Sequence, residues 1–367
     1  MASPASASVS LDQGANLRFD GVRELASGVD ALYLSGYGDL TQGFLNDLAR
    51  SRELAEQVHD SLWFNLGAER VDVYPHGWGR YHYLLAGEAG SIGFSTGKHL
   101  PPVRVQPRSS RLHAIGPPAT VALFQDLLAE HCEGLSFSVN RIDLYVDVQG
   151  FVLDASCRER FVCRANHVRI FEEQGCLQGI QLGMRSAKTF SARIYDKTAD
   201  IARSGADWWH GIWGDAYDPA LPVLRIEFEI GRKAITDFGL DAPDQVLAAV
   251  GDLWHYGTTE WLTYRSPSAG ERTRWPIAPE WQQVQGATLA GQTLGLSRMR
   301  SARRAGSIRR LFPALAGYLA AFGAAVGTTD IEDTLVALDS QLRNDEIARH
   351  VSFAERIERR SQELSRR

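Results

Sequence analysis

Residues Val139–Asp147, which read VNRIDLYVD, decide the fold because apolar and polar side chains alternate along them at the period of a β-strand. Side chains two positions apart lie on the same face of an extended chain. One face therefore takes the aliphatic residues Ile142, Leu144 and Val146, and the other takes Arg141, Asp143, Tyr145 and Asp147. This pattern predicts a strand that covers an apolar core with one face and presents charge on the other.

Two later stretches repeat this alternation with the same kinds of charge. They are Ala192–Lys197 (ARIYDK) and Leu224–Ile230 (LRIEFEI). If the three strands lie in one sheet, a single surface gathers four carboxylates, four cations and a tyrosine: Asp143, Asp147, Glu227 and Glu229; Arg141, Arg193, Lys197 and Arg225; and Tyr195. Such a surface can bind a divalent metal, hold a phosphate and supply a nucleophile.

The composition is that of an ordinary globular protein, and any affinity for DNA must come from local patches. The 367 residues are 44% hydrophobic and 23% charged, with a net charge of −5. Four cysteines without a Cys-x-x-Cys pair, and a start without a signal peptide, favour a cytoplasmic protein. The stretch 311–327 is interrupted by proline and glycine, so it predicts a buried helix or helical hairpin and no membrane partner.

Local patterns predict an α+β fold with a central antiparallel or mixed sheet, because helix and strand alternate without strict βαβ order. We expect a disordered tail over 1–20, an α+β domain over 21–265, a linker over 266–290 and a helical C-terminal domain over 291–367.

Within the α+β domain, residues 20–60 and 153–166 are predicted to be helical. Residues 70–116 read as short strands joined by hairpins, and 119–131 as a helix.

Asp143, Asp147 and Glu227 are the candidate metal ligands, because hard divalent cations take oxygen ligands. Asp143 and Asp147 would lie about 13 Å apart along one strand, at about 3.3 Å per residue. One of them, with Asp143 preferred, would therefore join Glu227 from a neighbouring strand, and the other would support the site or pair with an arginine. The alternative is a solvated sheet face with cross-strand ion pairs.

Tyr195 is the candidate nucleophile. It stands between Arg193 and Lys197 on one strand face, and these cations are expected to favour the phenolate. A phenolate beside a metal-bound phosphate can form a phosphotyrosyl ester. The alternative is a strand tyrosine with an apolar ring and a solvated hydroxyl.

Two basic segments are candidate DNA contacts. Arg185, Ser186 and Lys188 follow a glycine turn and could line a phosphate backbone, or form a solvated loop. The run 298–310 contains six arginines, among them Arg300, Arg303 and Arg304, and no acidic residue. That run could instead form a solvated helix face. No Walker A or dinucleotide-binding motif appears, so ATP- and NAD-driven chemistry have no support.

The order of three motifs resembles the Rep_trans replication initiators of rolling-circle plasmids, together with related integrative-element relaxases and phage proteins. The motifs are Arg-x-Asp-x-x-x-Asp from Arg141, Gly-x-Arg-Ser followed by Arg-Ile-Tyr-Asp-Lys from Gly183, and Arg-x-Glu-x-Glu from Arg225. The resemblance covers about residues 60–265. It implies a sheet core of the replication-initiator type with flanking helices, and makes 21–265 the nicking and DNA-binding domain.

The resemblance also implies roles for individual residues. Tyr195 would be the nucleophile, and Asp143 and Glu227, with Asp147 as a third candidate, would hold Mg²⁺ or Mn²⁺. The residues expected to steady the scissile phosphate are Lys197, Arg193 and Arg185. Further DNA contacts are expected from Arg141, Ser186, Lys188, Arg225, Arg300, Arg303 and Arg304, with Arg225 also orienting a carboxylate.

The implied function is nicking and rejoining one DNA strand at an origin, through a phosphotyrosine intermediate. The implied partner is origin DNA at a hairpin or single-stranded nick site, with a host helicase and a second copy of the chain as further candidates. Three alternatives stay open: a relaxase of an integrative element with the same chemistry, a sequence-specific DNA-binding protein without catalysis, and a metal nuclease that uses water.

Overall fold

An eleven-stranded antiparallel sheet forms the centre of the protein in a computed structural model. The structure describes residues 21–154, 156–173, 176–184, 189–290, 308–349 and 351–365. The strands are β1 (Arg23–Leu40), β2 (Leu62–Leu66), β3 (Glu69–Val73), β4 (Tyr83–Gly87), β5 (Gly90–Phe94), β6 (Val103–Pro107), β7 (Cys132–Gln149), β8 (Phe161–Cys163), β9 (Val168–Glu173), β10 (Cys176–Leu182), β11 (Phe190–Asp196), β12 (Leu224–Gly231) and β13 (Leu262–Tyr264). Their order in the large sheet is β2-β3-β4-β5-β6-β1-β7-β12-β11-β10-β9, and β13 pairs with β8 in a separate two-stranded sheet.

Helices connect the strands and follow the sheet at the C-terminal end. They are α1 (Gln42–Val58), α2 (Ser109–Ile115), α3 (Pro117–Leu128), α4 (Cys157–Arg160), α5 (Lys197–Ser204), α6 (Trp208–Trp213), α7 (Arg232–Asp237), α8 (Pro243–Ala248), α9 (Val250–Tyr256), α10 (Pro279–Gln285), α11 (Ile308–Val326), α12 (Ile331–Arg349) and α13 (Phe353–Ser365). The predicted α+β class with an antiparallel central sheet is confirmed, and so is the helix near 119–131, which is α3. The predicted hairpins are confirmed over β3 to β6, but the end of that segment, Ser109–Ile115, is the helix α2.

The three charged strands are neighbours in the large sheet, as their common pattern predicts. Strand β12 lies between β7 and β11 and pairs antiparallel with both. Arg225 of β12 is opposite Asp147 on one side and Tyr195 on the other. Directly opposite residues share a face, so the predicted collection of charges lies on one surface. We call this surface the polar face.

The opposite face of the sheet is apolar and lies in the main core. Ile142, Leu144 and Val146 of β7 are fully buried there, beside Ile226 and Phe228 of β12. Helices α3, α7 and α8 contact β7. Burial of one face fixes the strand register, because a slip of one residue would bring charged side chains into this core.

Two predicted helices are wrong. Residues 23–40 form the long strand β1, which pairs with β7 along most of its length, and only the second half of the predicted helix is helical, as α1. Residues 153–166 contain only the short α4 and the strand β8. The helical prediction carries the apolar stripe of α1 too far towards the N-terminus. It is wrong because the strand partner of that segment, β7, lies about a hundred residues away in the chain.

The predicted linker over 266–290 is also wrong, because this segment packs into the core. Trp281 of α10 is fully buried, and its indole Nε1 donates a hydrogen bond of 2.9 Å to the Thr258 carbonyl. Val284 accepts a hydrogen bond of 2.9 Å from the Trp254 indole. The α+β unit therefore extends at least to Gln285.

The C-terminal region described by the structure is helical, as predicted, but α11 is not the buried helix that its apolar sequence suggested. Leu315 and Tyr318 are exposed on α11, which packs against α12. No helix among the described residues is both long and apolar enough to span a bilayer. The predicted disordered tail over 1–20 and the basic run at 298–307 lie outside the described residues.

Candidate active site on the polar face

Tyr195 and Glu227 are in contact on the polar face. Strand β11 places Arg193 opposite Glu227 and Tyr195 opposite Arg225. The Tyr195 hydroxyl donates a hydrogen bond of 3.2 Å to Glu227 Oε2, while Arg193 forms a salt bridge with Oε1 of the same carboxylate. The Arg193 guanidinium carbon also lies 5.4 Å from the centre of the Tyr195 ring. A phenol, a carboxylate and a cation are thus joined in one cluster.

Arg193 is not fully satisfied by this cluster. Its Nε is buried and has no hydrogen-bond partner among the described residues. A buried donor without an acceptor is costly, so this N–H could stabilise an oxygen of a bound substrate.

Tyr195 does not have the lowered pKa that the sequence suggested. Burial raises the pKa of its phenol well above the usual value, and the negative charge of Glu227 raises it further. Arg225 and Arg193 act in the opposite direction but do not outweigh these effects. The expectation of a phenolate is wrong, because it considered the cations adjacent in sequence and not the burial or the carboxylate across the strand.

Two neighbours shape the space around Tyr195. Gly179 of β10 is opposite Tyr195, and a Cβ atom there would lie 3.0 Å from the Tyr195 Cβ. Lys197 begins α5, and its ammonium Nζ lies 5.9 Å from the centre of the Tyr195 ring and 2.7 Å from Asp200 Oδ2. Lys197 therefore lies beside Tyr195, as its place in the motif suggested.

Asp147 and Arg225 form a buried ion pair in the centre of the polar face. Arg225 Nε donates to Asp147 Oδ1 at 2.6 Å, and Nη2 donates to Oδ2 at 2.7 Å. The Trp213 indole donates a further hydrogen bond of 2.8 Å to Oδ2. Neither member of the pair has any exposed surface. Because the Asp147 oxygens are occupied and the Arg225 side chain is inaccessible, the assignments of Asp147 as a metal ligand and of Arg225 as a DNA contact are wrong.

Arg225 is held by aromatic rings as well as by Asp147. Its guanidinium carbon lies 4.2 Å from the centre of the Tyr145 ring and 4.0 Å from that of Trp209. Arg225 Nη1 also lies 3.3 Å from Asp30 Oδ1 in β1. The carboxylate that Arg225 orients is that of Asp147, while Glu227 pairs with Arg193.

The site includes residues that the sequence did not indicate. Ser109 donates a hydrogen bond of 2.8 Å to Asp30. Burial tends to raise the pKa of Asp30, but the charge of Arg225 and the Ser109 hydrogen bond bring that pKa below its usual value. His113 Nδ1 is 2.7 Å from the Ser109 carbonyl and must donate to it, so Nε2 accepts the 2.9 Å hydrogen bond from the Tyr145 hydroxyl. Burial lowers the pKa of His113, which is consistent with a neutral ring.

Asp143 lies in a second cluster of charges on the same face. Arg141 Nε donates to Asp143 Oδ1 at 2.7 Å, and Arg141 Nη2 lies 2.9 Å from Glu229 Oε2. Burial raises the pKa of Asp143 to about 7, and the nearby charges of Glu227 and Glu229 add to this effect although Arg141 opposes it. Arg141 retains some exposure, so a contact with DNA stays open for it.

Asp143 and Glu227 are also occupied, because Arg141 donates to both oxygens of Asp143 while Arg193 and Tyr195 each donate to one oxygen of Glu227, so a hard divalent cation would have to displace one of these donors. The two carboxylates lie on adjacent strands, close enough for each charge to affect the other, and Mg²⁺ commonly takes one or two protein carboxylates with water and substrate oxygens. The described residues contain no group of three or more acidic, histidine or cysteine side chains arranged to hold a metal. A cation here would therefore depend on one or both of these carboxylates and on the substrate.

Six predicted DNA contacts lie outside the residues that the structure describes. They are Arg185, Ser186, Lys188, Arg300, Arg303 and Arg304.

Solved structures that match this chain include a replication initiator. The chain is similar to the rolling circle replication initiator protein from Geobacillus stearothermophilus, with 14% sequence identity and a TM-score of 0.44 over 75% of this chain and 99% of that one. No family model matches the sequence, and no curated protein matches it.

Replacing Arg225 should strongly destabilise the fold. We expect Arg225→Ala to lower the free energy of unfolding by about 3–5 kcal/mol, because it leaves the Asp147 charge buried without its partner. The control is Arg343→Ala, which breaks a solvent-exposed pair with Asp339 and should leave the free energy of unfolding close to the wild-type value. Urea denaturation measures both, and equal costs would contradict the assigned importance of the buried pair.

Asp143 should make stability depend on pH. Its pKa rises from 3.8 to about 7 on folding, so the folded state binds an extra proton between these values. Stability should therefore fall as pH rises from about 4 to about 7 and then level off. Urea denaturation across this range, with a metal chelator present, should show a smaller decline for Asp143→Asn, and identical slopes for the two proteins would refute the assignment.

Proposed function

We propose that this protein nicks and rejoins one strand of DNA, with Tyr195 as the nucleophile and Glu227 as its general base. The hydrogen bond from the Tyr195 hydroxyl to Glu227 Oε2 is the observation that supports this proposal most directly. The motif resemblance to rolling-circle initiators supports it independently. The DNA site would be an origin of a replicating element or the transfer origin of an integrative element, since the chemistry is the same.

The raised pKa of Tyr195 requires a base in contact with the phenol. Glu227 Oε2 is within hydrogen-bonding distance and can accept the proton as attack begins. The phenol oxygen then forms a bond to phosphorus, and the bond from phosphorus to the 3′ oxygen breaks. That oxygen takes up a proton from solvent and becomes a free 3′-hydroxyl, while the 5′ phosphate stays on Tyr195. Rejoining reverses these steps.

The positive charges around Tyr195 have different roles in this proposal. Arg193, with one unpartnered N–H, and Lys197 would stabilise the scissile phosphate. Arg225 is a positioning residue, because it has no exposed surface and holds Asp147 and the aromatic rings around it.

In this proposal Asp143 would hold a Mg²⁺ or Mn²⁺ ion together with water and phosphate oxygens, and Glu227 would act as the base and the partner of Arg193 rather than as a ligand. When bound, the ion would neutralise charge that develops on the phosphate oxygens. Burial is the main cause of the raised pKa of Asp143, and the charges of Glu227 and Glu229 raise it further, a contribution that a bound cation would relieve.

A covalent adduct with DNA tests the assignment of the nucleophile. The protein is incubated with Mn²⁺ and an end-labelled hairpin from an inverted repeat that flanks its reading frame, and is then denatured in detergent. We expect a labelled protein band that Tyr195→Phe abolishes and that Tyr33→Phe preserves, because Tyr33 is a tyrosine of the same sheet that contacts Arg141 rather than Glu227.

The other outcomes of this gel separate the alternatives. Cleavage that persists in Tyr195→Phe without an adduct would indicate a nuclease that uses water. DNA binding without cleavage by the wild-type protein would indicate a DNA-binding protein without catalysis. Either result overturns the proposal.

Glu227 should be needed for the rate of adduct formation and not for DNA binding. We expect Glu227→Gln to slow adduct formation by about 10²- to 10⁴-fold, the usual contribution of a general base. Raising the pH should partly restore the rate, because hydroxide can then remove the phenolic proton. A single-turnover time course between pH 7 and 9 measures this, and a variant with the wild-type rate at pH 7 would eliminate Glu227 as the base.

A further inference from the structure

A cavity of about 660 Å³ opens on the polar face, several strands away from Tyr195. Its floor is made of small and uncharged side chains from β1, β5 and β6, including Ala31, Ser91 and Gln106. Trp78 and Trp208 line it as well. Nothing in the proposed chemistry uses this cavity, which we call the tryptophan groove.

The floor of the tryptophan groove continues as a row of side chains across four further strand pairings. Gln106 is opposite Ser91, Ser91 is opposite Ala86, and Ala86 is opposite Asp72. Asp72 is in turn opposite Trp63 on β2. Directly opposite residues lie on the same face, so the row leads from the groove to the edge of the sheet. Trp63 is 61% exposed there.

Arginines accompany the aromatic rings of this path. The Arg104 guanidinium carbon lies 3.8 Å from the centre of the Trp78 ring, and that of Arg70 lies 5.2 Å from the centre of the Trp63 ring. Arg108 lines the groove and donates a hydrogen bond of 2.9 Å to the Gly87 carbonyl.

The charge of Asp30, the acidic side chain that lines the groove, is compensated by neighbouring residues. Asp30 accepts a hydrogen bond from Ser109 and lies 3.3 Å from Arg225 Nη1. The path therefore offers aromatic rings with adjacent arginines and small side chains between them, and it also includes the exposed carboxylate of Asp72 opposite Trp63.

The groove is connected to the candidate active site through both the sheet and the helix α6. Ala31, in the floor, is opposite Asp143 in β7. Trp208 stacks on Trp209 with the ring centres 4.4 Å apart, and Trp209 contacts the Arg225 guanidinium. Trp208 remains 38% exposed. A chain bound at Tyr195 could thus continue along the polar face towards Trp63.

We propose that the tryptophan groove binds single-stranded nucleic acid, namely the nucleotides that flank the strand break, by stacking bases on Trp78, Trp208 and Trp63. This inference rests on the proposed nicking function and extends its site to the flanking strand. Base stacking on aromatic side chains, combined with arginines along the backbone, is the usual physical basis of single-strand binding. A duplex is a poorer occupant, because its bases are already stacked and paired and cannot reach the indole rings.

Binding of a labelled oligonucleotide, followed by fluorescence anisotropy, tests the groove. The probe is a single strand of mixed sequence unrelated to any origin, so that the measurement does not depend on recognition of a nick site. We expect Trp78→Ala and Trp63→Ala each to weaken binding by about tenfold, a typical loss for one stacked base. Trp78→Phe should restore most of the affinity, because phenylalanine also stacks.

The matched control is Trp275→Ala. Trp275 lies in the segment after β13, away from the groove residues, and its indole donates to the Gly270 carbonyl. The affinity of the Trp275→Ala variant for the probe should equal that of the wild-type protein. Trp63 is largely exposed, so its variant tests the proposal even if Trp78→Ala fails to fold.

The outcomes separate this proposal from the proposed function. Wild-type affinity in both Trp63→Ala and Trp78→Ala, or equal binding of the duplex form of the probe, would overturn the groove proposal whether or not Tyr195 forms an adduct. Loss of binding in Trp63→Ala together with the absence of any adduct would retain the groove and reject the nicking chemistry.

Discussion

The buried pair of Arg225 and Asp147 is the interaction on which the polar face depends. Two charges without exposed surface lose several kcal/mol of hydration each, and only good geometry and further hydrogen bonds offset that loss. The structure provides both, through two short hydrogen bonds, the Trp213 indole and the neighbouring Asp30. Because Arg225 is opposite Asp147 on one side and Tyr195 on the other, the pair ties the centre of the sheet to the strand of the candidate nucleophile.

Burial and the carboxylate of Glu227 determine the protonation state of Tyr195, although the positive charge of Arg225 acts in the opposite direction. Burial and this carboxylate both raise the pKa of the phenol, so it stays protonated in the resting protein and donates a hydrogen bond to Glu227. A nucleophile that stays protonated until a base acts is protected from reacting before the substrate is in place.

Local alternation is sufficient to predict each of the three charged strands, because a period of two is set within a few residues, but their common face depends on the pairing of β12 with β7 and β11. Strand β1 was missed because its identity as a strand depends on pairing with β7, which the local pattern of its residues does not reveal. Asp30 and His113 gave no signal for the same reason: they reach the site through tertiary contacts from β1 and α2. The state of Tyr195 was predicted wrongly because burial and the cross-strand carboxylate depend on three-dimensional structure.

The pairing of β1 with β7 has a consequence for how the sequence can change over time. Each strand is 18 residues long, and the functional side chains of β7 are separated by single aliphatic residues that fill the core. Deletion of one residue from the middle of β7 would exchange the two sets and turn the charges into the core. Length variation among descendants of this gene should therefore be confined to the connecting loops. The paired strands β1 and β7 tolerate replacement of residues but neither insertion nor deletion of residues.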